Sequence, residues 1–155
     1  MLDEALKEWL ARGQTGTLAS LGADLEPHLT RIWAARPAAR DDEIELFVLS
    51  SDAGQLLEDL DARPFVAANI IEPPTYRSLL FKGPASVLGD QIKPEGIDSM
   101  LTAVDQGFER VGLAAGAGAL MRARYASLDS YTHLLMRVVE IYDQSPRPGA
   151  GGRLR

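Results

Sequence analysis

The sequence predicts a mainly β protein, β with accessory helices, whose six antiparallel strands close into a barrel. Three observations support this fold class. Six segments of the 155-residue chain have the alternating or β-rich composition of strands, short turns containing Gly, Pro or Asp join most of them, and few helical segments intervene. Several strands are apolar on both faces, as expected of a barrel whose outer face is covered by a helix or by a second subunit.

The elements follow one another with few interruptions. The chain begins with a short amphipathic helix, which is predicted from the helical spacing of Leu2, Leu6, Trp9 and Leu10 and ends at Gly13. The six strands are predicted over residues 15–21, 28–36, 43–51, 65–71, 76–88 and 134–142. A short helix follows the third strand and ends at Pro64. A longer helix is predicted from an apolar stripe at 3.6-residue spacing: Ile97, Met100, Leu101, Val104, Phe108 and Val111.

The structural signals are weakest towards the C-terminus. The small residues of 112–118 predict a flexible connection, and residues 119–124 are interpreted as a short helix. Pro and Gly dominate the tail over residues 144–155, so this tail is not expected to form regular structure. We therefore predict a single domain over residues 1–143, followed by the tail.

Composition narrows the classes of function. The chain has a formal net charge of −6 and its basic residues are scattered, which argues against a nucleic-acid-binding protein. It has no cysteine, so disulfides, thiolate catalysis and cysteine-ligated metal sites are excluded. No segment resembles a signal peptide, and no apolar run approaches the roughly 20 residues of a membrane span. We therefore expect a cytoplasmic protein without a membrane partner.

Residues suited to hydrolytic or metal chemistry are sparse. The sequence contains no nucleophile-elbow, Walker or dinucleotide-binding motif. Its two histidines, His28 and His133, are far apart and have no other ligand at metal-binding spacing, so no metal site is expected. Each histidine is interpreted as a polar residue at a strand edge.

Two polar groups in the first half of the chain indicate an anion site. The first is the segment 50–55, where a strand runs into a helix and free amide groups suit an anion, although Ser51 or Asp52 could simply cap that helix. The second is Arg31 in the second strand, although a surface carboxylate could equally pair with it.

The fifth strand carries a third polar group. Strict alternation places Arg77 on one face with Leu79 and Phe81, and it places Ser78 and Lys82 on the other face. Because an unpaired buried charge is costly, these cations either lie in water at the strand ends or meet an anion. The three groups together favour a ligand that bears a phosphate.

The order of these segments resembles the pyridoxamine 5′-phosphate oxidase-like, FMN-binding split-barrel family. The resemblance extends from Thr15 to the tail, and it is carried by residues 16–21, 27–36, 46–51, 76–83 and 143–151. It implies a six-stranded antiparallel split β-barrel, a homodimer, and FMN in a groove between the subunits. It also implies a flavin-dependent oxidoreductase that acts on a small molecule of unknown identity.

The resemblance further implies which residues contact the cofactor. The second strand would contribute Arg31, Ile32 and Trp33, and Arg36 becomes a candidate for holding an anionic substrate. The third strand and the following helix would contribute Leu49, Ser50, Ser51 and Gln55. The fifth strand would contribute Arg77, Ser78 and Lys82.

Two departures separate this chain from the oxidases themselves. Gln55 and Leu56 stand where the oxidases have a basic pair that clamps the phosphate, a loss that Arg77 or Lys82 could offset. The tail lacks the oxidases' Trp and Arg-x-His motif, so the chain is not expected to be pyridoxamine phosphate oxidase. Three alternatives stay open: a deazaflavin in place of FMN, a heme-binding split barrel with His28 or His133 as axial ligand, and a non-enzymatic flavin carrier or sensor.

Overall fold

The protein is mainly β, as predicted, in a computed structural model that describes residues 2–110 and 130–155. The helices are α1 (Glu4–Ala11), α2 (Gly54–Ala62) and α3 (Ile97–Arg110). The strands are β1 (Gln14–Leu21), β2 (Pro27–Pro37), β3 (Glu43–Leu49), β4 (Phe65–Glu72), β5 (Arg77–Ile92), β6 (Tyr131–Arg137) and β7 (Glu140–Asp143). The connection predicted over residues 112–118 and the helix predicted over 119–124 lie outside the described residues.

The strands form one closed antiparallel barrel, which confirms the predicted fold class. Hydrogen bonding follows the order β4-β1-β2-β3-β6-β5-β7, and an additional β4–β5 pairing closes the circle. The last predicted strand is broken into β6 and β7 at Val138 and Val139. At this break the Val138 amide donates to the Asp42 carbonyl at 2.7 Å, and the Val139 amide donates to the Lys82 carbonyl at 2.9 Å. A Cβ atom on Gly83 would lie 1.8 Å from the Arg137 carbonyl oxygen, so the close approach at the break requires glycine.

One apolar core fills the barrel. Alternate residues of the strands point inward, among them Leu18, Ile32 and Phe81, each with 0% of its surface exposed. Trp9 of α1 and Leu56 of α2 belong to the same core. The two helices therefore bury their apolar faces against the barrel, as their sequence pattern predicted.

A second apolar cluster lies outside the barrel, under α3. Side chains from β2, β3 and β6 pack there against Ile97 and Leu101 of α3; they are Trp33, Ala34, Phe47, Leu49 and Tyr131. This cluster covers the outer surface over β2, β3 and β6. None of the helices within residues 2–110 and 130–155 is long and apolar enough to span a bilayer.

The barrel opens between β2 and β3. These strands pair only from Ala34 to Pro37, against Phe47 to Ile44, and the earlier part of β2 pairs with β1 alone. A register shift in the β1–β2 ladder accompanies the divergence. A short turn, Ser50–Asp52, leads from the end of β3 into α2, which packs against β1 and β2. This opening positions the start of α2 near the second strand.

Candidate cofactor site

The half of the outer surface that α3 does not cover is a five-stranded sheet face, which we call the open face. Cross-strand pairing aligns two rows on it: Arg31, Thr17, Asn69, Leu80 and Tyr142 in one, and Leu29, Ala19, Ala67, Lys82 and Glu140 in the other. Leu29 is 73% exposed and Phe65, at the edge of this face, is 49% exposed. Three strand spacings and the two-residue offset between the rows place Arg31 and Lys82 about 16 Å apart on the sheet.

Two of the predicted cofactor residues are cations on the open face, and each lies on an aromatic ring. The Arg31 guanidinium lies 4.6 Å from the centre of the Trp33 ring, and the Lys82 ammonium lies 4.8 Å from the centre of the Tyr142 ring. Neither cation has a carboxylate within ion-pair distance in the part of the chain that the structure describes. The interpretation of Arg31 as half of a surface ion pair is therefore wrong. A cation held by a ring alone keeps its N–H donors available to an anionic ligand.

Arg36, the candidate substrate contact, has a different environment. Its Nε donates to Glu45 Oε2 at 2.7 Å, its Nη1 donates to the Glu95 carbonyl at 3.0 Å, and its guanidinium lies over the Phe47 ring. His133 shares the same Glu45 oxygen at 3.1 Å and stacks on Phe47. The charge of Arg36 is thus compensated within the fold, which makes it a weaker anion contact than Arg31.

The start of α2 is free of the capping that the sequence allowed. Its N-cap residue is Ala53, which provides no side-chain hydrogen bond, and the Ser51 hydroxyl donates to Asp52 at 2.9 Å. The first-turn amides of a helix have no acceptor within the helix itself. A Cβ atom on Gly54 would meet nothing within 4 Å, so the space in front of this turn is open. An anion could therefore approach these amides.

Ser50 and Gln55 are engaged by neighbouring residues. The Ser50 hydroxyl accepts from the Gln91 amide at 3.1 Å. Gln55 donates to Asp59 Oδ1 at 3.1 Å and, at 3.4 Å, to Glu58. The amide of Gln55 is therefore turned towards carboxylates and does not replace the missing basic pair.

Asp59 is the centre of a buried polar cluster that sequence reasoning missed. Its carboxylate, 1% exposed, accepts from the Ser20 hydroxyl at 2.6 Å and lies 2.9 Å from His28 Nδ1. Burial by itself would raise the pKa of Asp59, but hydrogen bonds from Ser20, Gln55 and His28 outweigh it and lower the pKa. The cluster ties the β1–β2 hairpin to α2 and so fixes the start of α2. Its signal in the sequence was the polar character of Ser20 and His28 at inward-facing positions.

Three predicted contacts have buried side chains. Ile32 is in the barrel core, and its carbonyl accepts from the Thr15 hydroxyl at 2.6 Å. Trp33 and Leu49 lie under α3 and are 5% and 1% exposed. Trp33 supports the Arg31 guanidinium, and all three side chains leave little surface for a ligand.

The alternation predicted for the fifth strand is correct, and it separates the three polar residues there. Ser78 and Lys82 point outward, and the Ser78 hydroxyl donates to Asn69 at 2.8 Å on the open face. Arg77 points the other way, and its guanidinium lies 5.0 Å from the centre of the Trp9 ring. The structure therefore brings Arg31, Ser78 and Lys82 to one face across β1 and β4. It places Ser50 and Ser51 at the end of β3, and Arg77 at the end of the barrel near α1.

Comparison with solved structures identifies the architecture. The chain is similar to HupZ of Group A Streptococcus (12% identity, 98% of this chain and 99% of that one, TM-score 0.55). It is equally similar to a pyridoxamine 5′-phosphate oxidase-related, FMN-binding protein of Nostoc punctiforme (13% identity, 99% and 90%, TM-score 0.55). An F420 reductase is also similar (18% identity, 90% and 98%, TM-score 0.50).

The fold is a split barrel. Identities this low show the architecture alone, because unrelated functions recur on one fold. No protein-family profile matches the chain, and no curated protein matches it either. The function has to be argued from the residues of the open face and of the barrel opening.

Proposed function

We propose that this chain binds FMN as a homodimer and uses it as a flavin-dependent oxidoreductase distinct from pyridoxamine phosphate oxidase. One observation carries the proposal: Arg31 and Lys82 lie on rings, without carboxylate partners in the described chain, on a sheet face that α3 leaves open. The same split-barrel fold occurs in a protein named as FMN-binding. Cations that a fold leaves uncompensated suit the phosphate of a nucleotide.

We assign the phosphate of FMN to the barrel opening between β2 and β3. Continuing the β2–β3 register beyond Ala34 and Phe47 would bring Arg31 opposite Ser50, next to the uncapped start of α2. The guanidinium, the first-turn amides and the Ser51 hydroxyl would then meet one anion. Because Asp52 lies in the same turn, Arg31 has to supply most of the attraction.

The proposed homodimer is supported by the composition of the open face. Its middle carries small residues, Ala19 and Ala67, and its rim carries the exposed apolar side chains of Leu29 and Phe65. A second copy packed on this face would bury these apolar side chains. It would also provide a cation closer to Arg31 than the Lys82 of the same protomer, about 16 Å away, because Lys82 of the partner subunit could approach Arg31 across the twofold axis.

The residues present fit a flavin nucleotide, but the position of Gln55 contributes no cation for the phosphate. Arg31 and Lys82 provide cations, whereas Gln55 is held by Asp59 and Glu58 and adds none. Bound FMN supplies hydride transfer at its isoalloxazine ring. The chain's own residues bind the phosphate, orient the ring and exclude water, so no side chain needs to act as acid or base. Arg77 lies on the opposite face of β5, and we leave it out of this cofactor site.

Titration of the purified full-length chain with FMN, followed by flavin fluorescence, tests the proposal. We expect saturable binding at micromolar FMN, weakened about tenfold or more by Arg31→Ala and by Lys82→Ala, because a hydrogen bond to a charged group contributes about 1.5–3 kcal/mol. Arg40→Ala is the matched control, since Arg40 is an exposed cation in the β2–β3 turn, where it pairs with Asp42 and Glu43. Absence of binding, or equal weakening by the control, would contradict the flavin assignment.

Further titrations separate the alternatives. A deazaflavin is supported by the shared fold of the F420 reductase, and it would compete with FMN for the same site. Heme would need an axial histidine; His133 Nε2 is engaged by Glu45, so His28, whose Nδ1 is held by Asp59, is the stronger candidate. A Soret band lost on His28→Ala would favour heme. Turnover of NAD(P)H by the FMN-loaded dimer would distinguish the proposed enzyme from a flavin carrier or sensor.

A further inference from the structure

A cleft of about 460 Å³ lies at the end of the barrel where the tail folds back on β5. It is lined by Glu72, Thr75, Arg77, Ser145 and Arg147. The tail reaches it through hydrogen bonds along β5, in which the Gln144 amide donates to the Ser78 carbonyl at 2.8 Å and the Ser78 amide donates to the Ser145 hydroxyl at 3.2 Å. The cleft therefore has one wall from the barrel and one from the tail.

Arg77 enters the cleft with its donors unused. The guanidinium lies on the Trp9 ring, and within the described residues it makes no hydrogen bond and no ion pair. The carboxylate next to it, Glu72, already accepts from the Thr75 hydroxyl at 2.5 Å and pairs with Arg12 at 3.5 Å. Arg77 is thus a half-buried cation with no compensating charge of its own.

Arg147 is aimed into the same cleft by a buried carboxylate. Asp143, whose side chain is 8% exposed, accepts from Nε and from Nη2 of Arg147, and it also accepts from the Ser145 amide at 2.9 Å. These bonds occupy one edge of the guanidinium, so its remaining N–H groups face outward. Hydrogen bonds between Asp143 and the glycines 151 and 152 close the tail into a loop that fixes this arrangement.

The charges of the cleft residues and of their ion-pair partners do not cancel. Three guanidiniums, of Arg12, Arg77 and Arg147, meet two carboxylates, of Glu72 and Asp143, in a chain whose net charge is −6. Two guanidiniums that face one cleft repel each other unless an anion lies between them. Arginine suits such an anion because its planar donors match the oxygens of a carboxylate or a phosphate.

We propose that Arg77 and Arg147 form a binding site for the oxyanion of a small molecule, a carboxylate or a phosphate, separate from the FMN site. A cleft of this volume is large enough for a small metabolite. The oxyanion site stands independently of flavin binding. Its use as the anchor of the substrate or electron donor in the flavin reaction rests on the proposed function.

Nuclear magnetic resonance of the full-length, flavin-free chain tests the site directly. The probes are inorganic phosphate and, separately, malonate, each at constant ionic strength with chloride as the control salt. We expect saturable shifts of the Nε–H signals of Arg77 and Arg147 with at least one probe, and the tighter probe identifies the preferred oxyanion. Arg77→Gln and Arg147→Gln should each weaken binding about tenfold.

The control variant is Arg153→Gln. Arg153 lies in the same tail and also pairs with a carboxylate, Glu140, but it is outside the cleft. The Arg153→Gln variant should bind the probes as the unmodified chain does. Absence of saturable shifts, or an Arg153→Gln defect as large as that of Arg147→Gln, would overturn the proposal. Since Arg147→Gln could also loosen the tail, Arg77→Gln, which leaves the Asp143 bonds intact, must show the same loss.

Repeating the titration with saturating FMN separates the two proposals. Unchanged probe affinity supports distinct sites, and competition would show that the cleft is part of the cofactor site and would overturn its assignment as a separate one. If the chain binds phosphate at Arg77 and Arg147 but binds no FMN, the proposed function fails while the oxyanion site stands.

Discussion

The two halves of the outer barrel surface differ in the size, polarity and exposure of their side chains. Under α3 the strands present large apolar side chains, such as Phe47 and Leu49, which are 0% and 1% exposed. On the open face the strands present small residues, exposed Leu29 and two ring-stacked cations. The covered half is completed by the chain itself, whereas the open half has the composition of a surface that a partner and a charged ligand complete.

This comparison predicts that substitutions on the two faces affect different properties of the protein. Substitutions under α3 should lower the free energy of unfolding of each protomer. Substitutions on the open face should leave the protomer folded and alter association or ligand affinity instead. Four substitutions test this distinction, in order of decreasing expected effect.

Phe47→Ala should have the largest effect on stability. The ring is fully buried under α3 and stacked on His133 with centroids 4.6 Å apart, so its removal leaves a cavity. We expect a loss of about 3–5 kcal/mol in urea unfolding. Leu29→Ala on the open face is the control and should change protomer stability by less than about 0.5 kcal/mol. Equal losses at the two positions would remove the distinction between the halves.

Asp59→Asn tests the cluster that holds α2 at the barrel opening. The amide cannot accept from Ser20, Gln55 and His28 together, and we expect a loss of about 1–3 kcal/mol at neutral pH. Because the folded protein lowers the pKa of Asp59 from 3.8, its contribution is complete above pH 3.8 and is lost as the pH falls through the lowered pKa. The stability difference between variant and unmodified chain should therefore shrink below pH 3.8. A difference that grows in acid would contradict this.

Leu29→Asp tests the association of the open faces. A carboxylate at this position, 73% exposed in the protomer, would be buried without a partner in the proposed dimer. We expect sedimentation equilibrium to show a dimer dissociation constant raised about tenfold or more, with the thermal unfolding of the protomer nearly unchanged. The same substitution at the exposed Leu25, in the β1–β2 turn, serves as control. Dimers of unaltered affinity would exclude the open face as the interface.

Gly54→Arg should have the smallest effect. Unlike the other substitutions, it should strengthen an interaction, the binding of FMN. A side chain at this position meets open space, so the arginine would restore a cation at the start of α2. We expect FMN affinity to rise about fivefold relative to Gly54→Ala. Without ligand, the cation at a helix start should cost about 0.3–1 kcal/mol relative to the alanine variant. Affinity that is equal in the two variants would place the phosphate elsewhere.

The sequence predicts the strands and helices well because their signals are local. Alternation along β5 correctly separated Leu79 and Phe81, which the structure places in the core, from Lys82 on the opposite face. The break at Val138 and Val139 was missed because residues 134–142 are mostly apolar and contain no Pro or Gly that would mark an interruption. Its cause is a close approach to Gly83, which lies more than 50 residues earlier in the chain.

The candidate site is only partly predictable for the same reason. Arg31 and Lys82 stand out in the sequence as cations on apolar strands, but the rings that hold them and the absence of carboxylates in the described chain depend on tertiary contacts. The compensation of Arg36 by Glu45 depends on the β2–β3 register. The role of Asp143 in aiming Arg147 depends on the path of a tail whose composition suggested no structure.

Sedimentation velocity of the full-length chain with equimolar FMN, recorded at both protein and flavin absorbance, tests the central claim most directly. If the open face joins two copies around a flavin nucleotide, the flavin absorbance should move with a boundary of dimer mass, and Arg31→Ala should release the flavin while leaving a folded protein. Flavin that remains unsedimented beside a monomer boundary would contradict the account.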